Sequence, residues 1–396
     1  MPRTSKPTLC KNLTILNIGL DRQLVSRDGS TESQRRHIAY AQGLPARIIH
    51  IVKTTAGESS QSLTLADGQV EVLPLPVRHW SLFVPAAISA GRRLLAAHHA
   101  DVIQVQEPFL CGIPGLHLSR RFRIPLVAGA FGDQVDNPVW LGEHPVNRVA
   151  NLVGRIVYRR SAAIRADSRE VTERLRATGY PQACFVPFLV PEAERLGEPS
   201  PEAAVLRRQL LGRRLGPLLL TVSRLEREKN LPMVLEAFRR ASLTMPDLVL
   251  AVVGDGSMRS GLEASSRAFP PGSVRWVGWV RNEGIAAYYQ AADLFLLGSN
   301  REGRARVLTE ALLAGTPVLT TDTAGSREVV QEGYSGRIVP IRDLETFAKV
   351  LEELSSDPDS LRLMGRRGQK EMSGLVSADT VLASLRDLYM TLPGRS

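Results

Sequence analysis

Two glutamates with seven residues between them, Glu302 and Glu310, sit in the segment Ser299–Pro317, SNREGRARVLTEALLAGTP. Each carboxylate offers two oxygens to hydroxyl or amide donors. Upstream, Asp293–Leu297 (DLFLL) is a short apolar run that reads as a buried strand. Downstream, apolar residues from Val307 to Leu313 recur at helical spacing. Ala314-Gly315 supplies a left-handed cap and Pro317 prevents continuation. Glu302 is therefore expected in a strand-to-helix loop, with Glu310 about two turns into the region that follows. In an open α/β sheet such loops gather at the carboxyl ends of the strands, where ligands bind. Ser299 and Asn300 are expected to accept bonds from amides near the helix start, and the remaining amides favour an anionic ligand. The plain alternative is a solvated loop glutamate beside a helix-face glutamate.

The company of the pair weighs against that alternative. Ser223-Arg224-Leu225 follows the apolar strand Leu218–Val222, and Lys229 is expected to open the next helix. A planar guanidinium fork and an ammonium point charge suit phosphate oxygens. The chain holds only six lysines, so one at this place is informative. Val252–Gly256 (VVGDG) reads as another strand ending in a tight turn, which accounts for Asp255. Gly254-Asp255-Gly256 lacks the third glycine of a dinucleotide fingerprint, which disfavours a nicotinamide dehydrogenase.

Together these segments resemble glycosyltransferase family 4, retaining enzymes of GT-B architecture that use nucleotide-sugar donors. The resemblance is good over most of residues 215 to 340 and looser in the N-terminal half. It implies that Arg224 and Lys229 hold the diphosphate in place of a metal. It implies that Glu310 accepts the ribose hydroxyls and that Glu302 binds the sugar near the reacting carbon. Arg306 and the amides around Gly303 are implied to add to the phosphate site. Trp276–Val280 (WVGWV) resembles the segment that reads the base, with Val280 and Arg281 as base contacts. Asp322–Val329 (DTAGSREV) resembles a loop closing over the site, with Gly325 needed for backbone freedom. Gly19, ending the first strand, stands where a family loop approaches the phosphates. Gln106–Phe109 (QEPF) and Phe131–Trp140 (FGDQVDNPVW) resemble acceptor-side segments. Two departures stand out: Arg304-Ala305 replaces an aromatic-Gly pair, and Phe131 stands where many relatives have histidine. Asp133 or Asp136 is a candidate to supply the missing polar contact, and a loop cap is the plainer role for each.

The chain has 396 residues, enough for two cores of ordinary size. Its apolar and charged content is that of a globular protein. Cys10, Cys111 and Cys184 lie far apart, with no metal-ligand spacing, so a reduced cytoplasmic setting is expected. No signal peptide is visible, and Arg92-Arg93 breaks the longest apolar stretch, Leu82–His98. The net charge is +10, and residues 1 to 198 hold 24 Lys/Arg against 17 Asp/Glu. A basic N-terminal half suits an anionic partner such as a membrane surface or a phosphorylated acceptor. A general bias toward arginine explains it equally well. Nucleic acid is not among the expected partners.

Strands and helices alternate throughout, the signature of parallel sheets covered on both faces. Residues 1–195 are expected to form an acceptor-binding Rossmann-like domain, and 196–375 a donor-binding one. Residues 376–396 are expected to cross back to the first domain as a helix, and the cleft between the halves is the natural ligand site. Pro191–Gly216 reads as the inter-domain region, and Pro358–Met390 as helical. Pro145–Arg160 reads as a long amphipathic helix whose apolar stripe is expected to pack on its sheet, with docking on anionic lipid as the alternative.

The expected activity is retaining transfer of a hexose-type sugar from a UDP or GDP donor to a glycan or lipid-linked acceptor. No metal or other cofactor is expected. The expected place is the cytoplasm, with peripheral contact at the inner membrane face left open. The alternatives are a GT-B nucleotide-sugar epimerase and a catalytically weak nucleotide-sugar-binding partner in glycan assembly.

Overall fold

The computed structural model describes residues 13–27, 31–58, 60–132, 134–191, 193–302, 306–323 and 325–393. The chain divides into two compact units. The first comprises Met1–Asp167, Thr172–Pro191 and Ala378–Ser396, and the second Ser168–Val171 and Glu192–Ser377.

The first unit is built on β1 (Leu13–Gly19), β2 (Ala46–Thr55), β3 (Leu63–Leu65), β4 (Val70–Val77), β5 (Val102–Val105), β6 (Leu126–Ala130), β7 (Ala163–Ala166) and β8 (Ala183–Phe185). They pair in the order β3-β4-β2-β1-β5-β6-β7-β8. Every pairing is parallel except β3 with β4. The central strands are near-continuous apolar runs because helices cover both faces. Thr31 caps the helix Glu32–Gly43 through a reciprocal exchange with Gln34. The last helix, Ala378–Met390, lies on this unit: Val381, Leu385 and Tyr389 join a core with Ile15, Ile48 and Val127. Tyr389 donates its hydroxyl to Gln104 Oε1 at 2.7 Å. A Cβ on Gly43 would stand 2.3 Å from Leu382 Cδ1, so glycine allows this close approach.

The second unit is built on β9 (Leu218–Val222), β10 (Val249–Val253), β11 (Val274–Gly278), β12 (Leu294–Leu297), β13 (Val318–Thr321) and β14 (Gly336–Val339). Its order is β11-β10-β9-β12-β13-β14, all parallel. The chain winds outward from β9 through β11, then returns to the other side of β9 and winds the opposite way. The crevice beyond the carboxyl ends of β9 and β12 is thus the topological switch point of this sheet. The first sheet has its own between β1 and β5, neighbours by the register Ile15↔Val102.

Pro191–Gly216, read as the inter-domain region, begins where the two units divide; it holds the helices Ala193–Gly197 and Pro201–Leu211, and Gly212 turns the chain at φ 62°. Three expectations need correction. Pro358–Met390 is two helices, Pro358–Leu375 and Ala378–Met390, broken at Val376-Ser377 where the units divide. Lys229 does not open a helix; it ends a 3₁₀ turn, Arg227–Lys229. Asn230 follows at φ 49° before the helix Leu231–Thr244. The apolar stripe of Pro145–Arg160 packs inward only in part: Val157 is buried and Val153 half-buried, whereas Val149, Leu152 and Ile156 are exposed, and the other buried positions are Asn151, Gly154 and Tyr158.

Candidate active site

Arg224 and Glu302 follow β9 and β12, which pair directly through Leu294↔Leu219 and Phe295↔Leu220. Sheet topology alone therefore brings together two loops distant in sequence. Two backbone approaches set their shape. Gly254, at φ 130°, lets the turn after β10 lie on the turn after β9. A Cβ there would stand 1.9 Å from the Ser223 carbonyl oxygen. Leu225 donates its amide to Asp255 O at 2.9 Å, and Asn300 donates its amide to Glu228 O at 2.8 Å, which ties the β12 loop to the β9 loop. Asp255 is held by the Gly256 amide and by Arg259 at 3.0 Å, as a tight turn requires.

Lys229 Nζ lies 2.5 Å from Glu302 Oε1, and the two side chains are only 15% and 12% exposed. Ser299 donates its hydroxyl to the same oxygen at 2.7 Å, while Thr321 at the end of β13 donates to the Ser299 carbonyl at 2.6 Å. Ser299 thus holds Glu302, while the amides it is expected to cap, at the start of the following helix, lie outside the described residues. Asn300 likewise accepts from Arg342 Nε at 3.2 Å. Arg224 is 72% exposed and bonds Glu228 at 2.8 Å, so its fork lies at the rim of this cluster.

Glu310 sits one turn behind, on the helix Arg306–Leu313, and is buried. Arg306 pairs with its Oε1 at 2.7 Å, and Tyr289 donates to its Oε2 at 2.9 Å. A buried carboxylate needs such partners to remain charged. Each oxygen keeps a further lone pair for a ligand donor. Burial, and then the Glu310 charge, push the Tyr289 hydroxyl well above its ordinary range, so it remains a donor. Arg306, expected on a phosphate, is here the counter-charge of Glu310. Tyr289 was not legible as a participant: it is one of two adjacent tyrosines in a helix, and only the fold turns it toward Glu310.

Val280 and Arg281 follow β11, and Arg281 is the extended residue preceding the helix Asn282–Ala291. Val280 is partly buried and Arg281 exposed. Gly325 adopts φ 79° at the start of Ser326–Val329, as its loop requires. Gly303, Arg304 and Ala305 lie outside the described residues, as does Asp133.

In the first unit, Gly19 ends β1 at the switch point. Gln106 closes over it, accepting the Leu20 amide at 2.6 Å. A Cβ on Gly19 would stand 2.8 Å from Gln106 Oε1. Glu107 is committed to structure, since its carboxylate accepts from the amides of Phe109, Leu110 and Cys111 in the turn that leads into the helix Gly112–Phe122. Asp136, at φ 60°, is similarly engaged by Asn151 and Tyr180. Phe131 lies against the buried Arg165 guanidinium, 5.4 Å from its ring centroid. Among the described residues no three His, Cys, Asp or Glu side chains gather as metal ligands.

The arrangement offers a cation and a carboxylate side by side at a switch point, with a second carboxylate fixed behind them. Two family models match the chain: "Glycosyl transferase 4-like domain" over residues 33–189 and "Glycosyl transferases group 1" over residues 206–371. The lipopolysaccharide core biosynthesis glycosyltransferase LpsE of Rhizobium meliloti is 25% identical over 281 residues, 70% of this chain and 79% of that protein. A GDP-mannose-dependent alpha-mannosyltransferase of Mycobacterium tuberculosis is 28% identical over 297 residues, 73% of this chain and 74% of its own length. Among solved structures, sucrose-phosphate synthase from Thermosynechococcus elongatus superposes with a TM-score of 0.81 at 18% identity, covering 96% of this chain and 98% of that one. Anabaena HepE in complex with UDP superposes at 0.75 and 19%, covering 96% and 100%. The chain belongs to glycosyltransferase family 4, with the GT-B fold, and is a glycosyltransferase that acts on nucleotide-sugar donors.

Proposed function

We propose that the chain is a retaining glycosyltransferase that moves a hexose from a UDP or GDP donor to a glycan or lipid-linked acceptor, without a metal. The observation that carries this reading is the Lys229–Glu302–Ser299 cluster at the switch point, with the buried Glu310 one turn behind it. Lys229 and Arg224 are assigned to the diphosphate, where charge grows as the donor bond breaks. Glu310 is assigned to the ribose, its two oxygens oriented by Arg306 and Tyr289. Glu302 is assigned to the donor sugar. Its carboxylate is engaged by an ammonium and a hydroxyl, an arrangement that suits hydrogen bonding to sugar hydroxyls better than nucleophilic attack. That favours front-face attack, in which a leaving phosphate oxygen takes the acceptor proton. Val280 and Arg281 are assigned to the base, and Gly19 to the approach of the N-terminal loop.

The donor test is thermal. A donor that binds the folded state raises the melting temperature, so a panel of UDP- and GDP-sugars ranks the candidates. GDP-mannose belongs in the first round because it is named for the mycobacterial relative. The product's anomeric configuration, read by NMR, then tests retention. A panel with no response, or an inverted product, overturns the assignment.

A further inference from the structure

The helix Pro145–Arg160 exposes Val146, Val149 and Leu152 at 66, 65 and 60%, while burying Asn151 and Gly154. That reverses what an apolar stripe does against a sheet. The cause is local: a Cβ on Gly154 would stand 2.9 Å from both Phe109 and Val135. The helix thus seats Asn151, Gly154, Val157 and Tyr158 inward and leaves Val146, Val149 and Leu152 outside as an aliphatic row. Ile156 continues the row, and across a groove lined by Leu116 and Val153 it meets Ile113 of the helix Gly112–Phe122. These two helices carry Arg120, Arg121, Arg148, Arg155, Arg159 and Arg160, and neither contains an Asp or Glu. Arg155 lies 3.7 Å from Asp136, outside the helices.

From this pairing of an aliphatic row with six arginines, we infer that the face is a docking surface for an anionic lipid bilayer. The aliphatic side chains enter the boundary between headgroups and acyl chains, and the arginines meet lipid phosphates. Charge complementarity selects this occupant. A second copy placed on the same face by a two-fold axis would set arginines against arginines, and like charges brought together oppose association. Attachment here is peripheral, since no helix among the described residues is long and apolar enough to cross a membrane. It is independent of the donor assignment.

The test is co-sedimentation of the full chain with phosphatidylcholine vesicles, with and without phosphatidylglycerol, over a salt series. Binding is expected only with phosphatidylglycerol, and it weakens as salt screens the arginines. Val149→Asp with Leu152→Asp is expected to lower binding at least about tenfold. Arg148→Gln with Arg160→Gln is expected to lower it roughly fivefold per arginine. These side chains are exposed, so both variants should keep the wild-type circular dichroism and the thermal response to nucleotide sugar. Equal binding to neutral vesicles, no binding to either, or binding indifferent to both variants overturns the inference. So does a wild-type dimer, by light scattering, that the aspartate variant converts to monomer.

Discussion

Replacing Glu302 by Gln separates the two carboxylates by the sign of its effect. In the unliganded site Glu302 holds Lys229 at 2.5 Å, so it competes with a diphosphate for the same ammonium. Unit charges about 4 Å apart interact by about 4 kcal/mol at an effective dielectric near 20. Both side chains keep some solvent contact, and desolvation opposes the pairing, which together reduce the net competition to roughly 1–2 kcal/mol. Gln keeps an oxygen for the Ser299 hydroxyl and removes the charge. Glu302→Gln should therefore bind free UDP or GDP no more weakly than wild type, and up to about five- to thirtyfold more tightly. Glu310→Gln should weaken the same ligand by roughly 1–3 kcal/mol, because ribose hydroxyls lose a charged acceptor. Both variants should lose transfer. Calorimetric titration with free nucleoside diphosphate decides the matter. If Glu302→Gln weakens binding as much as Glu310→Gln, the competition for Lys229 is refuted. If neither variant changes it, the ribose assignment of Glu310 fails.

Lys229→Ala and Arg224→Ala should each reduce transfer about a hundredfold, near 3 kcal/mol, with the fold intact by circular dichroism; near-normal turnover in both removes the phosphate assignment. Transfer should persist in chelator, and complete loss restored by manganese would refute the metal-free reading. In the first unit, burial, and then the Arg36 charge, push His50 down to about 3. Burial, and then His50, also hold His37 well below its ordinary value, with the two rings 4.2 Å apart. The unfolded chain then binds protons near pH 6.5 that the folded chain refuses. Stability is full above about 6.5 and falls by on the order of a few kcal/mol as pH drops toward 3. His50→Gln should flatten that fall in denaturation measured across this range, and an unchanged pH slope would show that His50 does not carry it.

The sequence by itself determined the alternation of strands and helices and the residue types of the site, because these rest on local periodicity and turn chemistry; the GT-B class it implied only through resemblance to a family. Pro145–Arg160 has the ends expected of it, since caps and breakers act within a few residues. The sequence also placed Glu302 in a loop and Glu310 on the helix behind it. What it could not hold were relations that only packing creates. Lys229 and Glu302 are 73 residues apart and meet because β9 and β12 are neighbours at a switch point. Tyr289 reaches Glu310 because two helices lie side by side, which neither helix encodes alone. The direction of the apolar stripe on Pro145–Arg160 was decided likewise. Periodicity shows that a helix has two faces, but which face turns inward depends on the surface it meets, and here Phe109 and Val135 leave room only for the glycine.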